Sequence, residues 1–389
     1  MKKSINIGTV LFVVAALCGQ CKEKYVSPYV TPNVGYLVVE GFISGNAPIN
    51  YTLSRTLPLP GDSTIPRESG ADVEVEGSDN SSISLVEQGD GVYSSVDTPM
   101  LNALIRYRLR IHTSEGEDYL SDFVPFRPSP PIDSINWIET STGVTIYAYT
   151  HDPANATHYY QWNFDETWEF HSAENSEYEY DTAAAQVIPR PASSQIYTCW
   201  HEGSSANVLL GNSTKLAQDV IYEQPLELLP KNGVQLSILY TTLVRQYALT
   251  DSGYTYFSIL QKNTEEMGSI FDAQPSALFG NIHSLTRPAE QVLGFISAGT
   301  VRQERIWISP AQVPDWRYIA ACGGPDIKVG LDSLSLIYPF SIGGYIPIDP
   351  HVPLPPAAPY IDGWRANVVG CVDCRAEGGV LYKPSYWPY

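Results

Sequence analysis

The chain has little basic charge and lacks a long apolar segment beyond its first 20 residues. Its 23 Lys and Arg stand against 42 Asp and Glu, and the net charge of −19 excludes binding to nucleic acids or anionic lipids through a basic face. No apolar run reaches the ~20 residues that a membrane-spanning helix needs. The hydrophobic content of 43% is nevertheless sufficient for sizeable cores and excludes wholesale disorder.

Signatures of catalysis are also missing. The sequence contains no G-x-S-x-G elbow, no H-E-x-x-H zinc helix, no P-loop and no G-x-G-x-x-G fingerprint. Its seven histidines are scattered, without the spacing of a metal site. We therefore expect no enzyme, no catalytic residue, no metal and no cofactor.

The N-terminus has the layout of an export signal. Lys2 and Lys3 precede a short apolar run over residues 10–17, and Cys21 follows it with polar residues behind. This pattern predicts a signal peptide over 1–20, lipid attachment at Cys21 and a lipidated tether over 21–35. The alternative is an ordinary signal peptide that is cut nearby and releases the protein, and Gln20 is an unusual residue at a lipoprotein junction.

Short strands separated by turn-forming residues dominate residues 36–126. In the stretch 105–112, apolar residues alternate with Arg106, Arg108, Arg110 and His112, which predicts a strand with one buried and one solvated face. The arginines could also form an anion site. The spacing predicts an immunoglobulin-like or transthyretin-like β-sandwich over 36–126.

The proline-rich stretch 127–131 predicts a stiff joint. A second, larger β-rich domain is expected over 132–389, with a Cys-containing tail and at least one short helix. That helix should begin near 251–253, present Tyr254, Phe257 and Leu260 on one face, and stop at Gly268.

Residues 165–181 combine carboxylates with aromatic rings and predict an insertion that binds a ligand. Sugars, peptides, other small molecules and cations such as calcium suit this chemistry, although no D-x-D-x-D-G loop is present. A solvated acidic loop without a ligand is the alternative. The candidate binding residues are Glu166, Trp168, Glu169, Phe170, Tyr178 and Tyr180.

Beyond the leader, an even number of cysteines in an exported chain predicts disulfides. They are Cys199, Cys322, Cys371 and Cys374, and three connectivities are open. Cys371 and Cys374 also have half of a zinc-ribbon spacing, but a second C-x-x-C is missing.

Several motifs, taken together and in order, carry a family resemblance. They include Leu37-Val-Val-Glu-Gly41, Val244-Arg-Gln-Tyr-Ala-Leu249, Gly268-Ser-Ile-Phe-Asp272, Val292-Leu-Gly-Phe295 and the closing Cys371-Val-Asp-Cys-Arg375 and Lys383-Pro-Ser-Tyr-Trp387. With the leader cysteine, this order resembles the domain of unknown function 4249 family of Bacteroidota lipoproteins. The resemblance implies export to the outer membrane and genes beside TonB-dependent transporters. It brings no catalytic residues and implies only structural roles for Cys371, Cys374 and Trp387.

The leading hypothesis is a non-enzymatic outer-membrane lipoprotein, lipid-anchored on the cell surface or the periplasmic face. It would capture substrate for, or act as an accessory of, a TonB-dependent β-barrel transporter, with no nucleic-acid partner. The alternatives are a cell-surface hydrolase acting on glycans or peptides, with carboxylates from 165–181, and a purely structural envelope protein.

Overall fold

The computed structural model describes residues 35–57, 64–265, 277–353 and 360–388. The predicted signal peptide, Cys21, nearly all of the tether and the predicted helix stop at Gly268 therefore lie outside the described residues. Strands account for 45% of the described residues and helices for 12%, which confirms the mainly-β prediction. No helix within the described ranges is long and apolar enough to cross a membrane.

The strands in chain order are β1 (Leu37–Ser44), β2 (Asn50–Arg55), β3 (Asp72–Gly77), β4 (Ser82–Gly89), β5 (Val92–Ser94), β6 (Arg106–His112), β7 (Asp118–Ser121), β8 (Val124–Arg127), β9 (Ile132–Thr140), β10 (Gly143–His151), β11 (Tyr159–His171), β12 (Tyr178–Asp181), β13 (Gln186–Pro189), β14 (Thr198–Ser204), β15 (Leu209–Asn212), β16 (Val220–Pro230), β17 (Leu239–Ala248), β18 (Ile282–Ser284), β19 (Ala298–Gly299), β20 (Arg302–Ile308), β21 (Ile327–Val329), β22 (Tyr345–His351) and β23 (Gly363–Val368). The α-helices are α1 (Asp251–Glu265), α2 (Ser333–Ile337) and α3 (Val369–Val372).

The first unit is a closed eight-stranded barrel, and the sandwich prediction for 36–126 is wrong. The strand order around the barrel is β6-β3-β4-β5-β2-β1-β19-β8, and β8 closes it by pairing with β6. β19 lies parallel to both β1 and β8 and fills the gap between them. Two separate sheets would leave these edges unpaired, whereas closure satisfies their backbone groups.

A returning segment of the chain completes the first barrel. Residues 282–299 supply β18, which extends the sheet beside β7, and β19. The same segment contributes Ile282, Val292, Ile296 and Ala298 to the barrel core. The first unit therefore depends on residues far along the chain from its other strands.

The outward face of β6 is solvated, as its alternation predicts. Arg108 pairs with Glu76 at 2.7 Å, and Arg110 lies 3.5 Å from Glu74. Both glutamates lie on the neighbouring strand β3. These arginines are engaged in cross-strand ion pairs and do not form an anion site.

The second unit consists of two facing sheets around one core. The order in one sheet is β14-β11-β17-β20, with β15 also paired to β11, and the order in the other is β16-β10-β9. Large side chains fill the space between them, including Trp162, Phe164 and Tyr240.

The joint between the units is buried and hydrogen-bonded. Gln246, fully buried on β17, donates to the Pro130 carbonyl at 2.9 Å and accepts from the Trp162 indole at 3.1 Å. Ser129 is also buried and donates its backbone N–H to Thr300. The joint is thereby fixed to the second core and to the returning segment.

The C-terminal region adds a three-stranded sheet, β21-β23-β22, with the β12–β13 hairpin and α2 packed beside it. Two disulfides attach the tail: Cys199 on β14 bonds to Cys374, and Cys322 bonds to Cys371 on α3. The four predicted cysteines are therefore all paired, and the zinc alternative has no free thiols.

Candidate functional site

The predicted insertion over 165–181 is largely regular β-structure. Residues 165–171 continue β11, which pairs with β14 on one side and with β17 on the other. Period-two alternation turns Trp168 and Phe170 into the core, where they are 8% and 1% exposed. Phe170 contacts Gly379 of the tail, and Trp168 stacks on His201 at 4.3 Å.

The remaining aromatic candidates do not join a common site. Tyr178 packs on Trp364 at 4.9 Å between ring centroids, and Tyr180 on Phe340 at 5.7 Å. Both rings cover the C-terminal sheet. The six candidate residues are therefore not brought together into a ligand site.

The acidic candidates have separate roles. Glu169 accepts a hydrogen bond from the Trp387 indole at 2.8 Å, which fastens the tail to β11. Glu166 points inward and accepts from the Tyr240 hydroxyl at 2.8 Å. Burial raises the pKa of Glu166. Burial, and then the charge of Glu166, raise the pKa of Glu227 on β16 to about 7.

A cavity lies away from residues 165–181, as a cleft between the first barrel and the second unit. Its volume is about 600 Å³, within the range typical of small-molecule sites. Segments from β1, β11, β17, α1 and residues 293–303 form its walls. We call this cavity the interunit cleft.

One wall of the interunit cleft is apolar and aromatic. Phe42 of β1 meets Tyr247 of β17 edge to face at 4.9 Å, which joins the two units. Tyr256 and Phe257 of α1 pack on Phe295 of the returning segment. Aromatic pairs in such offset or edge-to-face arrangements contribute about 0.5–1.5 kcal/mol beyond simple burial.

The residue at which helix α1 begins determines which of its side chains face the cleft. Thr250 accepts a hydrogen bond from the Gly253 backbone N–H at 3.1 Å, so Thr250 caps the helix just before the predicted cap at 251–253. Phe257 and Leu260, three residues apart, then line the cleft. Tyr254 instead packs on Tyr159 of β11.

The opposite wall is polar, because outward residues of β11, β17 and β20 face the cleft. The Asn163 amide donates to the Tyr247 hydroxyl at 3.2 Å, and Arg245 is paired with Asp165. Burial raises the pKa of the Tyr247 hydroxyl. Gln161 and Gln303 add side-chain amides to this wall.

Two buried acceptors in the walls have no hydrogen-bond partner within the described residues. They are Oδ1 of Asn163 and Oγ of Ser297. Ser297 is only 7% exposed. An unsatisfied buried polar atom costs about 1–3 kcal/mol. Both atoms are closed to a water-sized probe, so neither faces the open space of the cleft.

Close backbone contacts form the back of the cleft. Gly294 has a φ of +148°, and a Cβ there would lie 2.4 Å from the Val39 carbonyl oxygen. Val39 in turn donates its N–H to Leu293 at 2.8 Å. Glycine at 294 lets the returning segment lie directly against β1.

Sequence reasoning missed the interunit cleft because its walls come from segments up to 265 residues apart. One signal could have found it. Three of the motifs that carry the family resemblance, at 37–41, 244–249 and 292–295, all contribute lining residues. Motifs that are scattered along the chain but converge in space indicate a shared site.

The described lining of the cleft is aromatic, aliphatic and amide-bearing. Among the described lining residues there is no histidine or cysteine, and the acidic one is Glu40. Nowhere in the described ranges do three His, Cys, Asp or Glu side chains form a group that could hold a metal ion. The arrangement can bind and orient a molecule through aromatic contacts, amides and acceptors.

Fold and cleft together define a mainly-β protein whose two sheet units enclose a small-molecule-sized cavity. The chain belongs to the family described as Domain of unknown function (DUF4249), whose model matches residues 23–305. All the cleft walls lie within this match, whereas the closing motifs at 371–387 lie outside it. No curated protein matches the sequence.

Proposed function

We propose that the protein is a non-enzymatic outer-membrane lipoprotein that captures a ligand in the interunit cleft for a TonB-dependent transporter. The observation that carries the proposal is the cleft itself, a cavity of about 600 Å³ with aromatic and amide walls. Aromatic rings and side-chain amides dominate its described lining, a composition that supports binding. Family membership and the leader sequence support the location.

Lipid attachment at Cys21 would leave the cleft free to move away from the membrane. Thirteen residues lie between Cys21 and Gly35, and the fourteen residue steps from one to the other span at most about 50 Å when fully extended. In a Bacteroidota host, wild type should carry a lipid-sized mass increment and partition with membranes, and Cys21→Ala should lose both. An unmodified wild-type protein in the soluble fraction would refute the anchor.

The transporter partnership can be tested by affinity purification from detergent-solubilised membranes. The tagged wild-type protein should recover a TonB-dependent β-barrel transporter reproducibly. The Cys21→Ala protein, which should not reach the membrane, is the matched control. Repeated purification without any β-barrel partner would overturn the partnership.

A second candidate function rests on the Glu166 and Glu227 carboxyl groups. A raised pKa is what a general acid needs, and glycoside hydrolysis uses two carboxyl groups. A hydrolase would lose its activity on a glycan or peptide panel in both Glu166→Gln and Glu227→Gln. The Glu169→Gln variant is the control, because Glu169 holds Trp387 and should not affect chemistry.

A further inference from the structure

We infer that the interunit cleft takes an organic cation with an apolar body, such as a quaternary ammonium compound. Anions and uncharged molecules of similar shape should bind less tightly. The inference rests on the proposed capture function and specifies its ligand class. Two features support it, the charges that line the cleft and the aromatic rings beside them.

The charges of the lining favour a cation. Among the described lining residues, the cationic one is Arg245, and it is paired with Asp165. Glu40 also lines the cleft and has no ion-pair partner among the described residues. Its side chain is exposed, so a ligand can reach the carboxylate. The described lining therefore presents one negative charge that no neighbouring positive charge balances.

The Glu40 carboxylate lies beside the aromatic wall of the cleft. Glu40 alternates with Val38 and Phe42 on the outward face of β1, and all three residues line the cavity. Burial raises the pKa of the Tyr256 hydroxyl to about 12, and the charge of Glu40 adds to this increase. The carboxylate is therefore within electrostatic range of a second ring in the lining.

Aromatic rings with accessible surface surround this charge. Phe42, Tyr247, Phe257 and Phe295 line the cleft, and each of them is only partly buried. The face of an aromatic ring is negative, so it attracts a cation and repels an anion. The attraction is stronger where the cation and the ring both lose water, as they do inside a cavity. The rings therefore offset part of the hydration that a cation loses on entering.

Three probes with one aromatic body test the ligand class. They are benzyltrimethylammonium, its uncharged carbon isostere neopentylbenzene, and the anion phenylacetate. Because the quaternary ammonium group has no N–H donor, a preference for it over the isostere reports charge and not hydrogen bonding. Dissociation constants for the full chain carrying Cys21→Ala would be measured by ligand-observed NMR. We expect the cation to bind about tenfold tighter than neopentylbenzene, a difference of about 1.4 kcal/mol, and phenylacetate to bind most weakly.

Variants assign the preference to the cleft. Glu40→Gln should reduce the preference for the cation over neopentylbenzene about threefold, because it removes the unbalanced charge and keeps the shape of the side chain. Binding of neopentylbenzene itself should stay within about twofold of wild type. Glu202→Gln removes the same charge from the exposed surface of β14 and is the matched control, which should retain the full preference.

A second variant tests the aromatic contribution. Phe257→Leu keeps an apolar side chain in the wall but removes a ring, and it should also reduce the preference for the cation about threefold. Because Glu40→Gln replaces an exposed side chain by one of the same shape, it keeps the test valid if Phe257→Leu does not fold.

Equal affinity for the cation and neopentylbenzene, tighter binding of phenylacetate, a full preference for the cation in Glu40→Gln, or no binding of any probe would overturn the inferred ligand class. Such a result would leave the capture function standing if a transporter is still recovered from membranes. Failure to recover a transporter, with the cation preference intact, would overturn the proposed function and retain the ligand class.

Discussion

Glu227 makes the stability of the second unit depend on pH. Its pKa is raised to about 7 by burial and by Glu166, so the folded protein keeps a proton that the unfolded chain releases at lower pH. Stability from this group is complete below the unfolded pKa and is lost as pH rises through about 7. The full shift corresponds to about 3 kcal/mol, and solvent contact of the half-buried carboxyl reduces it to about 1 kcal/mol.

We therefore expect Glu227→Gln to stabilise the protein relative to wild type by about 1 kcal/mol more at pH 8 than at pH 5. Denaturant unfolding at both pH values measures the difference. Glu202→Gln, on exposed surface of β14, should show no such pH dependence. A Glu227→Gln effect that is equal at both pH values would contradict the assignment.

Gln246 connects the second core to the joint between the units. Gln246→Leu would leave the Trp162 indole buried without a partner, and the Pro130 carbonyl would keep only the 3.4 Å bond from the Ser129 hydroxyl. We expect a loss of about 3 kcal/mol in the free energy of unfolding, measured by denaturant titration. Gln88→Leu, an exposed change on β4, should cost less than about 0.5 kcal/mol. Similar small losses in both variants would mean that the joint is not held by this side chain.

Among the elements, the short strands of the first unit were predictable because their periodicity and turn residues are local signals. The stretch 105–112, for example, becomes β6 within one residue. Closure into a barrel was not predictable, because it depends on the pairing of β8 with β6 and on the two-residue strand β19. Nothing in the local sequence of 298–299 indicates a partner that is more than 250 residues away.

The error at β11 has a different physical cause. Its acidic and aromatic residues suggested an insertion that binds a ligand or, alternatively, a solvated loop. A strand with partners on both sides instead turns alternate residues into the core. Asp165 faces outward and pairs with Arg245, whereas Trp168 faces the core. Composition over 165–181 therefore concealed a period-two pattern. The same pattern places Gln161 and Asn163 in the cleft wall.

The two disulfides should differ in their contribution to stability. Cys199–Cys374 joins residues 175 apart in sequence, and Cys322–Cys371 joins residues 49 apart. If the entropy of loop closure in the unfolded chain dominates, replacing the first pair by alanine lowers the free energy of unfolding by about 1 kcal/mol more than replacing the second. Each loss should lie within the usual range of about 2–5 kcal/mol. Denaturant unfolding of the two double variants makes the comparison.

Thiol labelling provides the control for that comparison. In the denatured, unreduced protein, Cys199, Cys322, Cys371 and Cys374 should all be unreactive, because each is paired. Each double variant should leave the other pair oxidised. Labelling of all four cysteines in the wild type would refute both bonds.

At the scale of the whole molecule, the cleft exists because the chain leaves the first barrel, builds most of the second unit and then returns. The returning segment lies against β1, with Leu293 bonded to Val39, and carries Phe295 and Ser297 into the cleft wall. The same segment ties itself to the barrel by charge, since Arg287 and Glu290 pair with Glu117 and Arg55. Completion of the barrel and formation of the cleft therefore depend on the same segment of the chain.

This coupling predicts that residues 35–131 do not fold alone. That fragment lacks β19, which separates β1 from β8, and lacks the core side chains Ile282, Val292 and Ile296. Removing three buried aliphatic side chains costs roughly 2–5 kcal/mol each, and the summed loss is comparable to the free energy of unfolding of a typical domain.

The fragment should lack near-ultraviolet circular dichroism and a cooperative thermal transition. Joining residues 277–301 to it through a flexible linker should restore both. If the fragment already unfolds cooperatively without residues 277–301, the returning segment is an addition to a self-sufficient barrel, and the cleft could be lost without loss of the fold.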